Sequence, residues 1–143
     1  MARALELAEA AGRRGEVPVG AVVLDSSVTV VGEGANDRVR ASDPTAHAEV
    51  EALRAAGARL GSSRLVGCTL VVTMEPCAMC AGAAVAARLD RVVFGAWDEK
   101  AGACGSVWDL TRDRMSLHVV EVVPGVYADR AAGLLRDFFT ARR

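Results

Sequence analysis

At 143 residues, 52% of them apolar, the chain has the length of one domain and the composition of a packed core, which excludes general disorder. Its 17 basic and 18 acidic residues give a net charge of −1, too balanced for a protein that coats nucleic acid irrespective of sequence. No apolar run approaches the roughly 18 residues that span a bilayer, so no membrane partner is expected.

Met1 to Ala11 has helical periodicity and carries Glu6 and Glu9. It lacks the basic-then-apolar order of a signal peptide, which points to a cytoplasmic protein. Gly12 to Gly15 mark a stop. Val17 to Leu24 reads as a buried strand, with Pro18 tolerable only near its start. Asp25-Ser26-Ser27 is a turn, and Val28 to Gly32 pairs back as a hairpin partner. A polar loop through Asn36, Asp37 and Arg38 follows. There Arg38 and Arg40 form one candidate basic patch; Arg142 and Arg143 at the far end of the chain form another. Asp43 is the expected N-cap, and Pro44 the first position, of a helix running to about Gly57.

Thr69 to Met74 is a β-branched strand ended by Glu75-Pro76, and Pro76 opens an Ala-rich helix that continues to Leu89. Val92 to Gly95 and Leu117 to Val123 are short strands. Asp129 to Thr140 closes the chain as a helix with Leu134, Leu135, Phe138 and Phe139 on its apolar face. The stretch 97–114 is polar, Gly-containing and irregular, and it follows a strand end, where loops usually shape a binding site. Strands alternating with helices, without repeats or linkers, predict a single α/β domain over 1–143 with helices on both faces of the sheet.

Two segments carry chemistry: His47-Ala48-Glu49 and Pro76-Cys77-Ala78-Met79-Cys80. Spaced i and i+3 on a helix, Cys77 and Cys80 put both sulfurs on one face, able to chelate one ion. The positive end of a helix dipole favours their thiolate forms. With His47 they make three ligands, which leave tetrahedral Zn²⁺ one open position, the arrangement of a catalytic site rather than a structural one. Glu49, two residues past the histidine, is placed to move the protons of an attacking water without binding the metal. The pattern H-x-E…P-C-x-x-C is that of zinc nucleobase deaminases. Taken alone, Cys-x-x-Cys also fits a redox pair or half of a four-ligand zinc site. The remaining Cys68, Cys104 and His118 are isolated. The two cysteines read as small buried hydrophobes and His118 as a structural histidine beside a strand. Free thiolates imply a reducing compartment.

The chain resembles the bacterial tRNA-specific adenosine deaminases of the cytidine/deoxycytidylate deaminase superfamily. The matching stretches are Glu16-Val-Pro-Val-Gly-Ala-Val-Val23, Gly32-Glu-Gly-Ala-Asn36, Asp43-Pro-Thr-Ala-His-Ala-Glu49 and Ala52-Leu-Arg54. They continue with Thr73-Met-Glu-Pro-Cys-Ala-Met-Cys-Ala-Gly-Ala83, Arg91-Val-Val-Phe-Gly-Ala96, Asp98-Glu-Lys-Ala-Gly-Ala-Cys-Gly-Ser106 and Asp137-Phe-Phe139. The zinc motif carries only the superfamily; the 98–106 loop and the Phe138-Phe139 helix carry the tRNA branch. The chain departs from the family at Leu117-His118-Val119, where many members have Asn-His-Arg.

The resemblance implies a three-layer α/β/α cytidine-deaminase-like fold with a five-stranded mixed sheet, assembled as a homodimer with one Zn²⁺ per subunit. It implies His47, Cys77 and Cys80 as zinc ligands and Glu49 as proton shuttle. Asn36 would hydrogen-bond the base or ribose, backbone at Ala48 would hold the ring, and Val19 and Met74 would wall it. The implied reaction is adenosine to inosine at the wobble position of a tRNA anticodon loop, whose phosphates would meet Arg142 and Arg143. Two alternatives stay open: a free-base or nucleoside deaminase acting on guanine or cytosine, and a non-catalytic zinc-stabilised interaction module. A pocket roofed by the C-terminal segment would favour the small-substrate enzyme, and an open cleft the tRNA enzyme.

Overall fold

A computed structural model describes residues 1–142 of the chain. Five strands form one sheet in the order β2-β1-β3-β4-β5: Gly20–Leu24 (β1), Val30–Ala35 (β2), Thr69–Met74 (β3), Arg91–Ala96 (β4) and Glu121–Val123 (β5). The sheet is mixed. β1 runs antiparallel to both β2 and β3, whereas β3, β4 and β5 are mutually parallel. The helices are Ala2–Arg13 (α1), Arg38–Ala41 (α2), Ala48–Leu60 (α3), Ala78–Ala86 (α4) and Ala128–Thr140 (α5).

Glycines without side chains decide how closely two of these helices approach the sheet. A Cβ on Gly34 would stand 2.1 Å from the Ala48 carbonyl oxygen of α3, and one on Gly20 would stand 2.1 Å from the Ala4 carbonyl oxygen of α1. Both gaps are far too short for any side chain, so helix backbone rests directly on strand backbone. Gly34 pairs with Ala21, the neighbour of Gly20 on the opposite pleat, so α3 and α1 cover opposite faces. With α4 beside α3, and α5 laying Ala131 over Gly95 beside α1, the result is the expected three-layer α/β/α arrangement.

The core is unequal on the two faces. Val23, Leu70, Val72, Val92 and Phe94 of the sheet pack with Ala52, Leu53, Ala56, Ala81 and Ala84 of α3 and α4 in one large cluster. Between α1 and α5 the buried cluster, among the described residues, is Leu5, Ala96 and Ala131, flanked by half-buried Leu134 and Leu135.

Several boundaries differ from the sequence expectation, each for a local reason. The helix expected from Pro44 begins at Ala48, because the Asp43 carboxylate accepts from the backbone N–H and hydroxyl of Thr45, both at 2.7 Å. That side-chain turn takes the place of a cap and delays the helix to His47. α4 likewise begins past Pro76, with Cys77 as its N-cap, and it ends at Ala86 instead of Leu89. Val28 lies in the turn at φ 62°, and β2 starts two residues later at Val30 and runs on to Ala35. β1 begins at Gly20, after Pro18. Leu117 and Val119 are exposed and outside the sheet, so β5 is only Glu121–Val123. Arg38 to Ala41, read as loop, form the short helix α2.

Candidate metal centre and active site

β3 delivers Cys77 and Cys80 to one place, and the Asp43 turn delivers His47. His47 and Cys77 are the N-cap residues of α3 and α4, and neither makes a side-chain capping bond. Both side chains are therefore available, beside amides that end each helix without an intrahelical partner. The ligand atoms of His47, Cys77 and Cys80 lie within 4.8 Å of one another. His47 Nδ1 stands 3.7 Å from Cys77 Sγ and 3.5 Å from Cys80 Sγ. Zinc–sulfur bonds of about 2.3 Å and zinc–nitrogen bonds of about 2.0 Å at tetrahedral angles require donors about 3.5 Å apart. One imidazole nitrogen and two sulfurs at that spacing fit Zn²⁺ in donor type and in distance. They are also the only grouping of three or more His, Cys, Asp or Glu ligands among the described residues.

Hydrogen bonding from Cys80, its largest influence, holds the Cys77 thiol down at about 3, so Cys77 is a thiolate. The same contact raises Cys80, whose proton an incoming cation must displace. Contact with the Cys77 sulfur raises the His47 imidazole. Glu49, in the first turn of α3, is 4% exposed, and its burial pushes the carboxyl up to about 7. A carboxyl poised near neutrality can both accept and return a proton.

These groups open onto a cavity of about 140 Å³ lined by residues that include Val19, Asn36, His47, Ala48, Glu49 and Met74. It lies at the carboxyl ends of β3 and β4, where α/β sheets usually hold ligands. Asn36, 7% exposed, donates from Nδ2 to the Val17 carbonyl at 3.4 Å, which leaves Oδ1 to accept from a ligand. None of the lining residues comes from α5.

The candidate cations behave differently from one another. Arg38 lines the cavity and makes no ion pair among the described residues. Arg40 instead pairs with Asp37. Arg142 lies over the Phe138 ring at 3.6 Å and donates to the Gly15 carbonyl at 3.3 Å, away from the cavity lining. Arg143 lies outside the described residues. His118 is structural in its contacts: its Nε2 donates to the Leu89 carbonyl oxygen at 2.6 Å. Cys68 and Cys104 are buried thiols, and desolvation pushes Cys104 up to about 12.

Sequence reasoning missed three lining residues, Val17, Glu75 and Asp98, in this role. It also missed that Glu75, and Glu16 close by, are buried carboxylates with backbone partners. Glu16, 3% exposed, accepts from the amides of Val39 at 3.0 Å and Arg40 at 2.8 Å and so fixes α2 beside the cavity. Glu75, 2% exposed, accepts from Asp98, Cys104 and Ser106. Both face partners more than 20 residues away, which no local pattern reveals.

Residues 1–96 match the family model for the cytidine and deoxycytidylate deaminase zinc-binding region. The whole chain is 48% identical to the tRNA-specific adenosine deaminase of Haemophilus influenzae, covering 83% of that protein. It is 52% identical to part of the tRNA(Ile)-lysidine synthase of Deinococcus deserti, but spans only 27% of that protein's length. A solved structure from work on A-to-I editing by tRNA:A34 deaminases superposes with a TM-score of 0.89 at 39% identity. The match covers 92% of this chain and 95% of that one.

Proposed function

The chain belongs to the cytidine and deoxycytidylate deaminase zinc-binding family, and from that premise we propose that it hydrolytically deaminates adenosine to inosine at the wobble position of tRNA anticodons. We assign one Zn²⁺ per subunit to His47, Cys77 and Cys80. The observation that carries the reading is a buried carboxyl, Glu49, held next to a three-donor cluster inside a cavity that α5 does not roof.

Held by His47, Cys77 and Cys80, Zn²⁺ would supply Lewis acidity to a water facing the amino-bearing carbon of the ring. The protein's part is positional and protonic. Asn36 Oδ1 accepts from the base or ribose, and Val19 and Met74 exclude water from the ring faces. Ala48 backbone borders the ring edge. Glu49 takes one proton from the attacking water and delivers it to the ring nitrogen; it then takes the second from the hydroxyl now on the ring carbon and gives it to the amine, so that the C–N bond breaks, ammonia departs and the carbonyl of inosine remains.

An anticodon adenine must leave its stack to enter so small a cavity, which a single-stranded loop permits at little cost. Arg38, which lines the cavity, is the cation placed to meet a flanking phosphate, whereas Arg142 is held against Phe138 and Gly15. The absence of α5 from the lining favours this substrate over guanine or cytosine, because a polynucleotide needs an entrance on which its neighbouring nucleotides can rest. A homodimer is favoured by a mostly apolar groove between α3 and α4, whose lining includes Val50, Leu53, Leu65, Ala83, Ala86 and Ala87 beside Arg54 and Ser62. Small side chains there suit close packing against a second copy.

The test is direct. Zinc-loaded protein incubated with an anticodon stem-loop bearing a wobble adenosine is expected to produce inosine, and with guanine or cytosine no product. Guanine turnover without stem-loop turnover overturns the substrate, and an excess of chelator is expected to abolish the reaction. Sedimentation at micromolar concentration is expected to give twice the 14.9 kDa chain mass.

A further inference from the structure

We propose that Glu75 is a positioning residue: its buried carboxylate holds the 98–106 loop in the one conformation that makes Asp98 a wall of the substrate cavity. The inference rests on the deaminase reading of the site but not on the choice between RNA and a free base as substrate.

Glu75 leaves the end of β3 and points under the loop that follows β4. Its Oε2 accepts from the Asp98 amide at 3.0 Å, and its Oε1 accepts from the amides of Cys104 at 3.0 Å and Ser106 at 3.1 Å. One side chain thus gathers three amides spread over a nine-residue stretch. Charge-assisted bonds to backbone N–H groups are the strong kind, and with the site 2% exposed no water competes for them. The loop closes around the carboxylate through its own bonds as well. Ser106 Oγ donates to the Asp98 carbonyl at 2.8 Å, and Asp98 Oδ1 accepts from Lys100 and Ala101. At Gly102 there is no room for a side chain: a Cβ would stand 2.2 Å from both Glu75 Oε2 and Ser106 Oγ.

The loop is tied equally to the metal centre. The Ala103 amide donates to the Pro76 carbonyl at 2.8 Å, and Gly102 bridges to Cys77. Glu75 therefore connects a strand that leads into the metal-ligand motif with the loop forming the opposite wall. Both its oxygens are engaged by amides of the loop. It acts through Asp98.

Glu75→Gln separates this role from a merely structural one. An amide that keeps its oxygen toward Cys104 and Ser106 must turn its NH2 toward the Asp98 N–H, donor against donor, which releases that end of the loop. Zinc content is expected to stay at the wild-type level. Amide hydrogen exchange is expected to accelerate at Asp98 and Lys100 but not along β3. Because a misplacement of about 1 Å can cost about 10²-fold, kcat/KM is expected to fall by roughly that factor. In an Asp98→Ala background the same substitution is expected to cost less than about threefold, since the residue it positions is gone. Gly102→Ala, which strains the same cradle from the loop side, is expected to reproduce the exchange pattern even if Glu75→Gln folds poorly. Unchanged loop exchange, or full additivity of the Glu75 and Asp98 substitutions, overturns the proposal. If the wild-type protein turns over guanine and not the stem-loop, the RNA reading fails and the same cycle on guanine decides the role of Glu75.

Discussion

α3 and α5 are both thirteen residues long, yet they are held by opposite means. α3 buries Ala48, Glu49, Ala52, Leu53 and Ala56, mostly small side chains, and its backbone rests on the glycines of β2. α5 fully buries only Ala131 and leans on the half-buried Leu134 and Leu135, with Phe139 half exposed. A helix seated backbone to backbone has one possible depth and rotation. A helix seated on long, flexible side chains has a range of nearly equal ones. The first kind carries His47 and Glu49, which must meet two sulfurs from another helix within fractions of an ångström. The second kind carries nothing that lines the cavity.

The comparison breaks most visibly at Glu49. Glu49→Gln keeps size and burial but cannot shuttle a proton, so turnover is expected to fall about 10²- to 10⁴-fold with zinc content and melting temperature near wild type. Metal analysis beside a deamination assay checks this; near-normal turnover in a zinc-loaded variant would remove Glu49 from the mechanism. Next in size is Gly34→Ala, whose methyl would lie 2.1 Å from the Ala48 carbonyl and 2.6 Å from the Ala52 nitrogen. Lifting α3 to make room is expected to cost about 1–3 kcal/mol of stability and, because His47 moves with the helix, to weaken zinc binding as well. Denaturant titration and chelator competition measure the two effects separately. The smallest effect belongs to α5. Leu135→Ala is expected to cost about 1 kcal/mol, because that side chain is only partly buried, and to leave zinc affinity and kcat/KM per folded molecule unchanged. A loss of metal affinity there would show that the back layer also positions the site.

Much of this was legible in the sequence because it depends on local order. Cys77 and Cys80 are one helical turn apart by spacing alone, and β-branched runs mark β1 and β3 whatever surrounds them. The helix starts were misread because Asp-Pro-Thr has the same letters whether aspartate caps a helix or folds back on Thr45. Only the geometry at Asp43 distinguishes the two. Glu16 and Glu75 were missed for a different reason. A carboxylate beside apolar residues reads as surface unless its partners are known, and here they are backbone amides, which have no letter in a sequence. The breadth of the α5 apolar face was overestimated, since periodicity tells which side of a helix faces inward but not how deeply it sinks.

The placement of α1 and α5 together has a consequence for architecture. Both lie on the layer turned away from α3 and α4, and Arg142 reaches back to Gly15 just past the end of α1. Arg130 pairs with Glu9 across the same layer, so the first and last helices are tied to each other at two points and a loosened α5 would release the end of α1 as well.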